Sequence, residues 1–65
     1  MVIVKADINR MLLTLVGREE LIPEWWNSMN IGLYGKTPNE LYQSGDEGRQ
    51  LVYNYVLTFY EGGSM

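Results

Sequence analysis

The side chains that most often carry enzyme chemistry are scarce in this chain. Its 65 residues include no histidine and no cysteine, so no imidazole or thiol is available as a base, a nucleophile or a zinc ligand. Two carboxylate pairs remain, Glu19 with Glu20 and Asp46 with Glu47. Both pairs lie at predicted helix starts, where acidic side chains on a solvated face interact favourably with the helix dipole. We therefore expect no enzyme activity, no catalytic residues, no metal site and no cofactor.

The aromatic side chains offer a second kind of chemistry, because Trp, Tyr and Phe can stack on the bases of single-stranded nucleic acid. The chain has two Trp, five Tyr and one Phe. Stacking platforms need a positively charged groove beside them, but the five basic residues are scattered and the formal net charge is −3. We expect no nucleic-acid partner, and we interpret the aromatic residues as core and protein-contact side chains.

Two glycines, Gly32 and Gly35, lie in a segment that could be mistaken for a phosphate-binding loop. No Gly-Lys-Ser/Thr motif follows them and no predicted strand precedes them, so a nucleotide site is not indicated. We interpret residues 27–36 as a loop in which these glycines allow positive φ angles.

The length of the chain limits its stability. A 65-residue chain forms one domain at most, and such domains bury only roughly 60% of the surface that the unfolded chain exposes. Without cysteine there is no disulfide, so self-association or a protein partner is the remaining source of extra stability. The apolar run at residues 1–4 is too short for a signal peptide or a membrane span. We expect a cytoplasmic protein that does not bind membranes.

The first predicted element is a helix of about three turns, in which Asp7 can cap or charge the first turn and Gly17 can end the helix. Its apolar residues follow the spacing of one helix face: Ile8, Met11, Leu12, Leu15 and Val16. The preceding segment Val2–Val4 is a short strand, a disordered lead or a hydrophobic staple onto the helix. We favour the last two, because no other segment offers a partner strand.

A second, short helix is predicted around the tryptophan pair. Pro23 cannot lie deep inside a helix, so this helix begins near Pro23, or near Arg18 with a kink. Trp25 and Trp26 point about 100° apart on a helix, so at most one of them is central to the core. We place Trp26 inward and Trp25 at the rim.

A Thr-Pro-x-Glu sequence predicts the start of a third helix. The Thr37 hydroxyl can accept a hydrogen bond from the Glu40 amide while the Glu40 carboxylate accepts one from the Thr37 amide, which is a capping box. Pro38 suits the first helical position because it has no amide hydrogen. We predict one or two helical turns over residues 38–43 that present Leu41.

Gly45 is placed to end the third helix, and the last helix runs from about Asp46 to Tyr60, with Gly62 and Gly63 as its stop. One stripe of this helix comprises Gly48, Val52, Tyr55, Val56 and Phe59. Other sides add Leu51, Tyr53, Leu57 and Tyr60, and the polar line is limited to Gln50, Asn54 and Thr58. A helix that is apolar around most of its circumference is either central to its domain or shared with another chain.

Together these elements predict an all-α fold. It is a small bundle of about four short helices, with a Gly-rich loop before the capped short helix and a long C-terminal helix. The sequence has no internal repeat and no linker, so residues 1–65 are expected to form a single domain. The predicted core comprises Leu12, Leu15, Trp26, Leu41, Val52, Val56 and Phe59.

Several motifs occur in an order and spacing that resemble a known family. They are Leu15-Val16-Gly17, Trp26-Asn27-Ser28-Met29-Asn30, the Leu-x-Gly-x-Thr-Pro-x-x-Leu pattern of Leu33–Leu41, and Gly45–Gly48 followed by Val52, Leu57 and Gly62. The ordered set spans about residues 12–62 and resembles the toxin-binding domain of the MbcA/ParS/Xre antitoxins.

The resemblance implies a small α-helical domain without catalytic function. It would bind a RES-type toxin, an enzyme that degrades NAD, and occlude the active site of that enzyme. The residues that would shape the domain are Trp26, Leu33, Gly35, Thr37, Pro38, Glu40, Leu41 and Gly45. Toxin contact would fall on the terminal helix and tail, at Tyr53, Leu57, Tyr60, Glu61 and Gly62.

Two features depart from the family pattern. Family members commonly carry an N-terminal helix-turn-helix, whereas few residues precede the first predicted helix here, so DNA binding and autorepression are not carried over. Met29 stands where the family usually has a proline after the tryptophan, which makes this loop less rigid.

Two functional hypotheses follow. The first is a non-catalytic protein-binding module that neutralises a RES-type toxin by steric occlusion. The alternative is a small homo-oligomeric structural or interaction protein of phage or mobile-element origin, with the same fold and a different partner. A homodimer that buries Tyr53, Leu57 and Tyr60 would favour the alternative.

Overall fold

Four α-helices make up most of residues 3–29 and 35–62, which are the residues that the computed structural model describes. They are α1 (Lys5–Val16), α2 (Ile22–Trp26), α3 (Pro38–Gln43) and α4 (Asp46–Glu61), with a 3₁₀ turn (Glu19–Leu21) immediately before α2. This arrangement confirms the predicted all-α bundle. None of the helices in these two ranges has the length and hydrophobicity that a membrane span requires. The predictions for Val2, Gly32, Leu33 and Gly63 lie outside the described residues.

Helix α1 begins two residues before Asp7, with extended Val4 at its N-cap. The Val4 side chain cannot accept a hydrogen bond, so Asp7 contributes its charge to the first turn rather than a cap. Ile3 and Ile8 occupy the N′ and N4 positions and belong to the same buried cluster, which is the arrangement of a hydrophobic staple. The staple interpretation is thereby confirmed for Ile3. At the other end Gly17 has φ 79° and donates its amide to the Leu13 carbonyl at 2.9 Å, as predicted for a helix stop.

Helix α2 is short because Pro23 restricts where it can begin. Pro23 lies in the first turn, where its missing amide hydrogen costs nothing, and the 3₁₀ turn leads the chain into it. Trp26 is 3% exposed, whereas Trp25 is partly buried at the edge of the core. The two rings meet edge to face with centroids 5.4 Å apart. The predicted inward and rim positions of the two tryptophans are both confirmed.

Helix α3 begins with the predicted capping box. The Glu40 amide donates to the Thr37 hydroxyl at 3.1 Å, and the Thr37 amide donates to the Glu40 carboxylate at 2.9 Å. Ser44 ends the helix, with its hydroxyl donating to the Leu41 carbonyl at 2.7 Å. Gly45 follows with φ 137°, a region that side chains rarely adopt, and it is also the N-cap of α4. One glycine therefore both stops α3 and starts α4.

The core lies where α4 packs against α1 and α3. Its buried apolar residues are Ile3, Ile8, Met11, Leu12, Ile22, Trp26, Leu41, Val52 and Val56. The predictions for Leu12, Trp26, Leu41, Val52 and Val56 are confirmed. Those for Leu15 and Phe59 are wrong, because these side chains are 42% and 47% exposed. Both lie in the last turn of their helices, where no described element covers the end of the bundle.

Gly48 is buried at a close contact between α4 and α3. A β-carbon at this position would overlap the Leu41 carbonyl oxygen and crowd the Ser44 hydroxyl. The close approach therefore requires glycine, although glycine is a poor residue for the interior of a helix.

Replacing Thr37 with Ala should lower the free energy of unfolding by about 1 kcal/mol, because the first turn of α3 loses its side-chain acceptor. Urea denaturation followed by circular dichroism measures the change. Thr14→Ala is the control, since Thr14 is exposed within α1 and Ala is the better helix former. A Thr37→Ala protein as stable as the parent chain would contradict a role for the capping box.

Replacing Gly48 with Ala should destabilise the protein by about 1–3 kcal/mol through steric overlap with the backbone of α3. The sign of the change in unfolding free energy separates steric overlap from helix propensity. Propensity alone would make the Ala variant more stable by roughly 1 kcal/mol. Gln50→Ala, on the exposed side of the same helix, should change stability by less than about 0.5 kcal/mol. A stabilised Gly48→Ala protein would mean that α3 and α4 are further apart than described.

Candidate functional site

An apolar groove of about 310 Å³ opens at the end of the bundle where the last turns of α1, α2 and α4 meet. It is lined by Leu12, Leu15, Val16, Trp25, Tyr55, Val56 and Phe59. All seven side chains are aliphatic or aromatic, and only the Trp25 indole nitrogen and the Tyr55 hydroxyl are polar. We call this feature the apolar groove.

The floor and the walls of the apolar groove have different exposures. Leu12 and Val56, in the floor, are each 1% exposed and belong to the core. Leu15 and Phe59, in the walls, are the two predicted core residues that remain exposed. The rings of Tyr55 and Phe59 stack edge to face with centroids 5.1 Å apart, which supports the wall formed by α4. The groove therefore has a buried floor and solvent-accessible apolar walls.

The electrostatic environment of the apolar groove comes from helix ends. Helix C-termini carry partial negative charge, and those of α1, α2 and α4 all border the groove. The last turn of each of these three described helices lacks a basic residue. An apolar surface beside three negative helix ends can accept apolar side chains, and it favours a positive charge next to them.

The residues predicted to contact a partner lie elsewhere on α4. Tyr60 is 48% exposed, and Glu61 and Gly62 are also exposed, at the very end of the helix. Tyr53 and Leu57 are partly buried and pack against the core. The described lining of the apolar groove contains none of these five residues. Helix α4 therefore presents two separate surfaces, the groove side with Phe59 and the end of the helix with Tyr60.

Most of the residues predicted to shape the domain are described, and each of these is buried, caps a helix or forms a turn between helices. Trp26, Pro38 and Leu41 are buried, and Thr37 and Glu40 form the capping box. Gly35 has φ 73° in the turn before α3, and Gly45 joins α3 to α4. Leu33 lies outside the described residues.

A second constellation surrounds Trp26. The Lys5 ammonium nitrogen lies 4.5 Å from the Trp26 ring centroid and 5.9 Å from the Tyr42 ring centroid, and it donates to Asn39 Oδ1 at 3.2 Å. The Trp26 indole nitrogen donates to Asn9 Oδ1 at 2.7 Å. Because all these partners belong to the chain itself, the constellation joins α1 to α2 and α3, and we assign it a structural role.

The two carboxylate pairs lie where the sequence placed them. Glu19 and Glu20 are exposed in the 3₁₀ turn, and Asp46 and Glu47 are exposed in the first turn of α4. Glu20 pairs with Arg18 at 3.3 Å and Asp46 pairs with Arg49 at 3.5 Å. The interpretation of these pairs as solvated helix-start charges is confirmed. Among residues 3–29 and 35–62, no three His, Cys, Asp or Glu side chains form a group suited to a metal ion.

Sequence reasoning missed the apolar groove and the Lys5 constellation for different reasons. The signal for the groove was present, because α4 has more apolar positions than one core face can bury. The signal for the constellation was weak. Lys5 and Asn9 share one face of α1, but only the fold brings Trp26 and Asn39 to that face.

Replacing Asn9 with Ala should destabilise the protein by about 1–3 kcal/mol, because the buried indole N–H of Trp26 loses its acceptor. Thermal and urea denaturation measure the effect. Asn54→Ala is the matched control, since the Asn54 side chain accepts a hydrogen bond from Gln50 on an exposed face and should contribute less than about 0.5 kcal/mol. Equal stability of the two variants would show that the indole contact with Asn9 does not matter.

Comparison with known proteins identified no relative of this chain. No family model, no curated protein and no solved structure matches this chain.

Proposed function

We propose that this chain is a non-catalytic protein-binding module that covers part of a partner enzyme. The observation that carries the proposal is the apolar groove, a surface whose walls, Leu15 and Phe59, are 42% and 47% exposed. Large apolar side chains grouped at one end of so small a domain are typical of a surface that another protein covers. The side-chain inventory, without histidine or cysteine, also favours binding over catalysis.

The partner class that we propose is a RES-type, NAD-degrading toxin in the cytoplasm. Support for this class comes from the ordered motif set of Trp26, the segment Leu33–Leu41 and the terminal glycines. In this proposal the toxin contacts α4 from its middle to its end and the residue that follows it, through Tyr53, Leu57, Tyr60, Glu61 and Gly62.

The chemistry of the end of α4 suits such a role. Tyr60 is an exposed aromatic side chain on a helix, the kind of residue that often anchors an interface. Glu61 and the C-terminal end of the helix dipole place negative charge beside it. A site that binds NAD must accommodate two phosphate groups, so an enzyme of this class offers a positive surface to this negative end. Occlusion would then need no chemical step.

Co-expression tests the proposal. Cells that produce a RES-type toxin should recover growth and cellular NAD when the chain is produced with it, because the toxin active site is covered. Tyr60→Ala should reduce the rescue, whereas Leu51→Ala, on another exposed part of α4, should not. Circular dichroism of both purified variants establishes that they are folded. Failure of the folded parent chain to rescue growth or to bind the purified toxin would overturn the toxin-specific proposal.

Exposed apolar residues beyond the apolar groove favour a second candidate, a homodimer with a structural role. Val4, Leu13, Leu51 and Tyr60 are each at least 36% exposed. In this candidate Tyr53, Leu57 and Tyr60 meet their counterparts in a second copy, and the protein derives from a phage or mobile element. Analytical ultracentrifugation separates the candidates, because a stable dimer that Tyr60→Ala dissociates would support self-assembly.

A further inference from the structure

We propose that the apolar groove binds a basic amphipathic helix of a protein partner. Apolar side chains of that helix occupy the groove, and Lys or Arg side chains lie beside the ends of α1, α2 and α4. The inference rests on the proposed function as a protein-binding module, but it names a surface distinct from the end of α4 and gives the chemistry of the segment that the surface receives.

The shape and lining of the groove indicate the apolar part of the occupant. A volume of about 310 Å³ accommodates a few side chains rather than a whole domain. A helix that packs in a groove presents its anchors at i, i+3 or i+4, and i+7 along one face. The buried floor of Leu12 and Val56 and the exposed walls of Leu15 and Phe59 match such a row of aliphatic anchors.

Charge indicates the rest of the occupant. Three helix C-termini border the groove, and none of their last turns carries a basic residue to balance them. Three of the basic side chains form ion pairs elsewhere: Arg10 with Asp7, Arg18 with Glu20 and Arg49 with Asp46. Lys5 is held by the Trp26 and Tyr42 rings. The described lining of the groove has no charged side chain and the whole chain has a net charge of −3, so a basic partner complements this surface.

A second copy of the chain fits the same surface less well. In a symmetric dimer each copy presents the same patch, so the negative helix ends around one groove would face those around the other. The net charge of −3 on each copy adds to this repulsion. Electrostatics therefore favours a basic partner over self-association at this site.

Binding of designed peptides to the full chain tests the proposal. The probe is a 16-residue acetylated helical peptide with Leu along one face, at the a and d positions, and Lys at most other positions. The control is the same peptide with Glu in place of every Lys. Isothermal titration calorimetry reports binding, and so does the intrinsic tryptophan fluorescence, to which Trp25 in the groove lining contributes. The Lys peptide should bind about tenfold or more tightly than the Glu peptide at low salt, and added salt should reduce the difference.

Matched variants locate the binding. Leu15 and Leu13 are both in α1 and are both 42% exposed, but among them only Leu15 lines the apolar groove. Leu15→Ser and Phe59→Ser should each lower the affinity for the Lys peptide about tenfold or more, since each substitution removes an apolar wall of the groove. Leu13→Ser and Leu51→Ser should leave its affinity unchanged. Circular dichroism and thermal unfolding show whether each variant has kept the fold.

Three results would overturn the proposal. They are equal affinity for the Lys and Glu peptides, equal loss of affinity in Leu13→Ser and Leu15→Ser, and a dimer of the parent chain that Leu15→Ser or Phe59→Ser dissociates. The outcome is separable from that of the toxin proposal. Peptide binding at the groove without rescue from a RES-type toxin rejects only the toxin as the partner. Rescue that survives Leu15→Ser and Phe59→Ser, with no peptide binding, rejects the groove as a docking surface and leaves the toxin contact at α4.

Discussion

The burial of Trp26 is the interaction on which the rest of the bundle depends. Helices α2 and α3 have five and six residues, lengths at which an isolated helix is not stable in water. The Trp26 ring meets Tyr42 of α3 edge to face at 5.6 Å, and Lys5 of α1 lies over its face. Its indole N–H is satisfied by Asn9, so burial leaves no unpaired donor there. One side chain thus fixes two short helices against a longer one.

Helix α4 completes the bundle through a second constraint, its contact with α3 at Gly48. Absence of a side chain there lets the backbones of the two helices approach, and Val52 and Val56 then pack into the core one and two turns further along. Arg49 reinforces the junction, because its side chain donates to the Tyr42 carbonyl at 3.1 Å and lies 5.0 Å from the Tyr42 ring. At the other end of α4, Phe59 and Tyr60 remain about half exposed, because none of the described elements covers its last turn.

The apolar groove is a consequence of this arrangement. Helices α1, α2 and α4 end around the same point, and a chain of this size has few further elements with which to cover that end. The same geometry places three negative helix ends beside exposed apolar walls. A partner that fills the groove would bury Leu15 and Phe59. Its binding would therefore also raise the free energy of unfolding of the bundle.

Most of the fold could be predicted from local chemistry. Periodicity located α1 and α4, Pro23 indicated where α2 could begin, the Thr-Pro-x-Glu sequence specified the start and cap of α3, and Gly17 marked the end of α1. The 100° between adjacent helical residues allowed only one of the two tryptophans to lie inward. Much less of the candidate site was predictable, because periodicity shows which face of a helix is apolar but not whether another element covers that face at a given turn. Leu15 and Phe59 were therefore assigned to the core.

The helices, their caps and the excess of apolar surface on α4 follow from the amino-acid sequence alone, because each depends on residues within a few positions of one another. The packing of the helices sets which apolar residues are covered, and it places Lys5 against Trp26 and Tyr42 and Gly48 against the Leu41 carbonyl. These contacts join residues on different helices, and their formation depends on the angles at which the connecting turns set those helices. The apolar groove belongs to this second group, since it exists only where three helix ends meet.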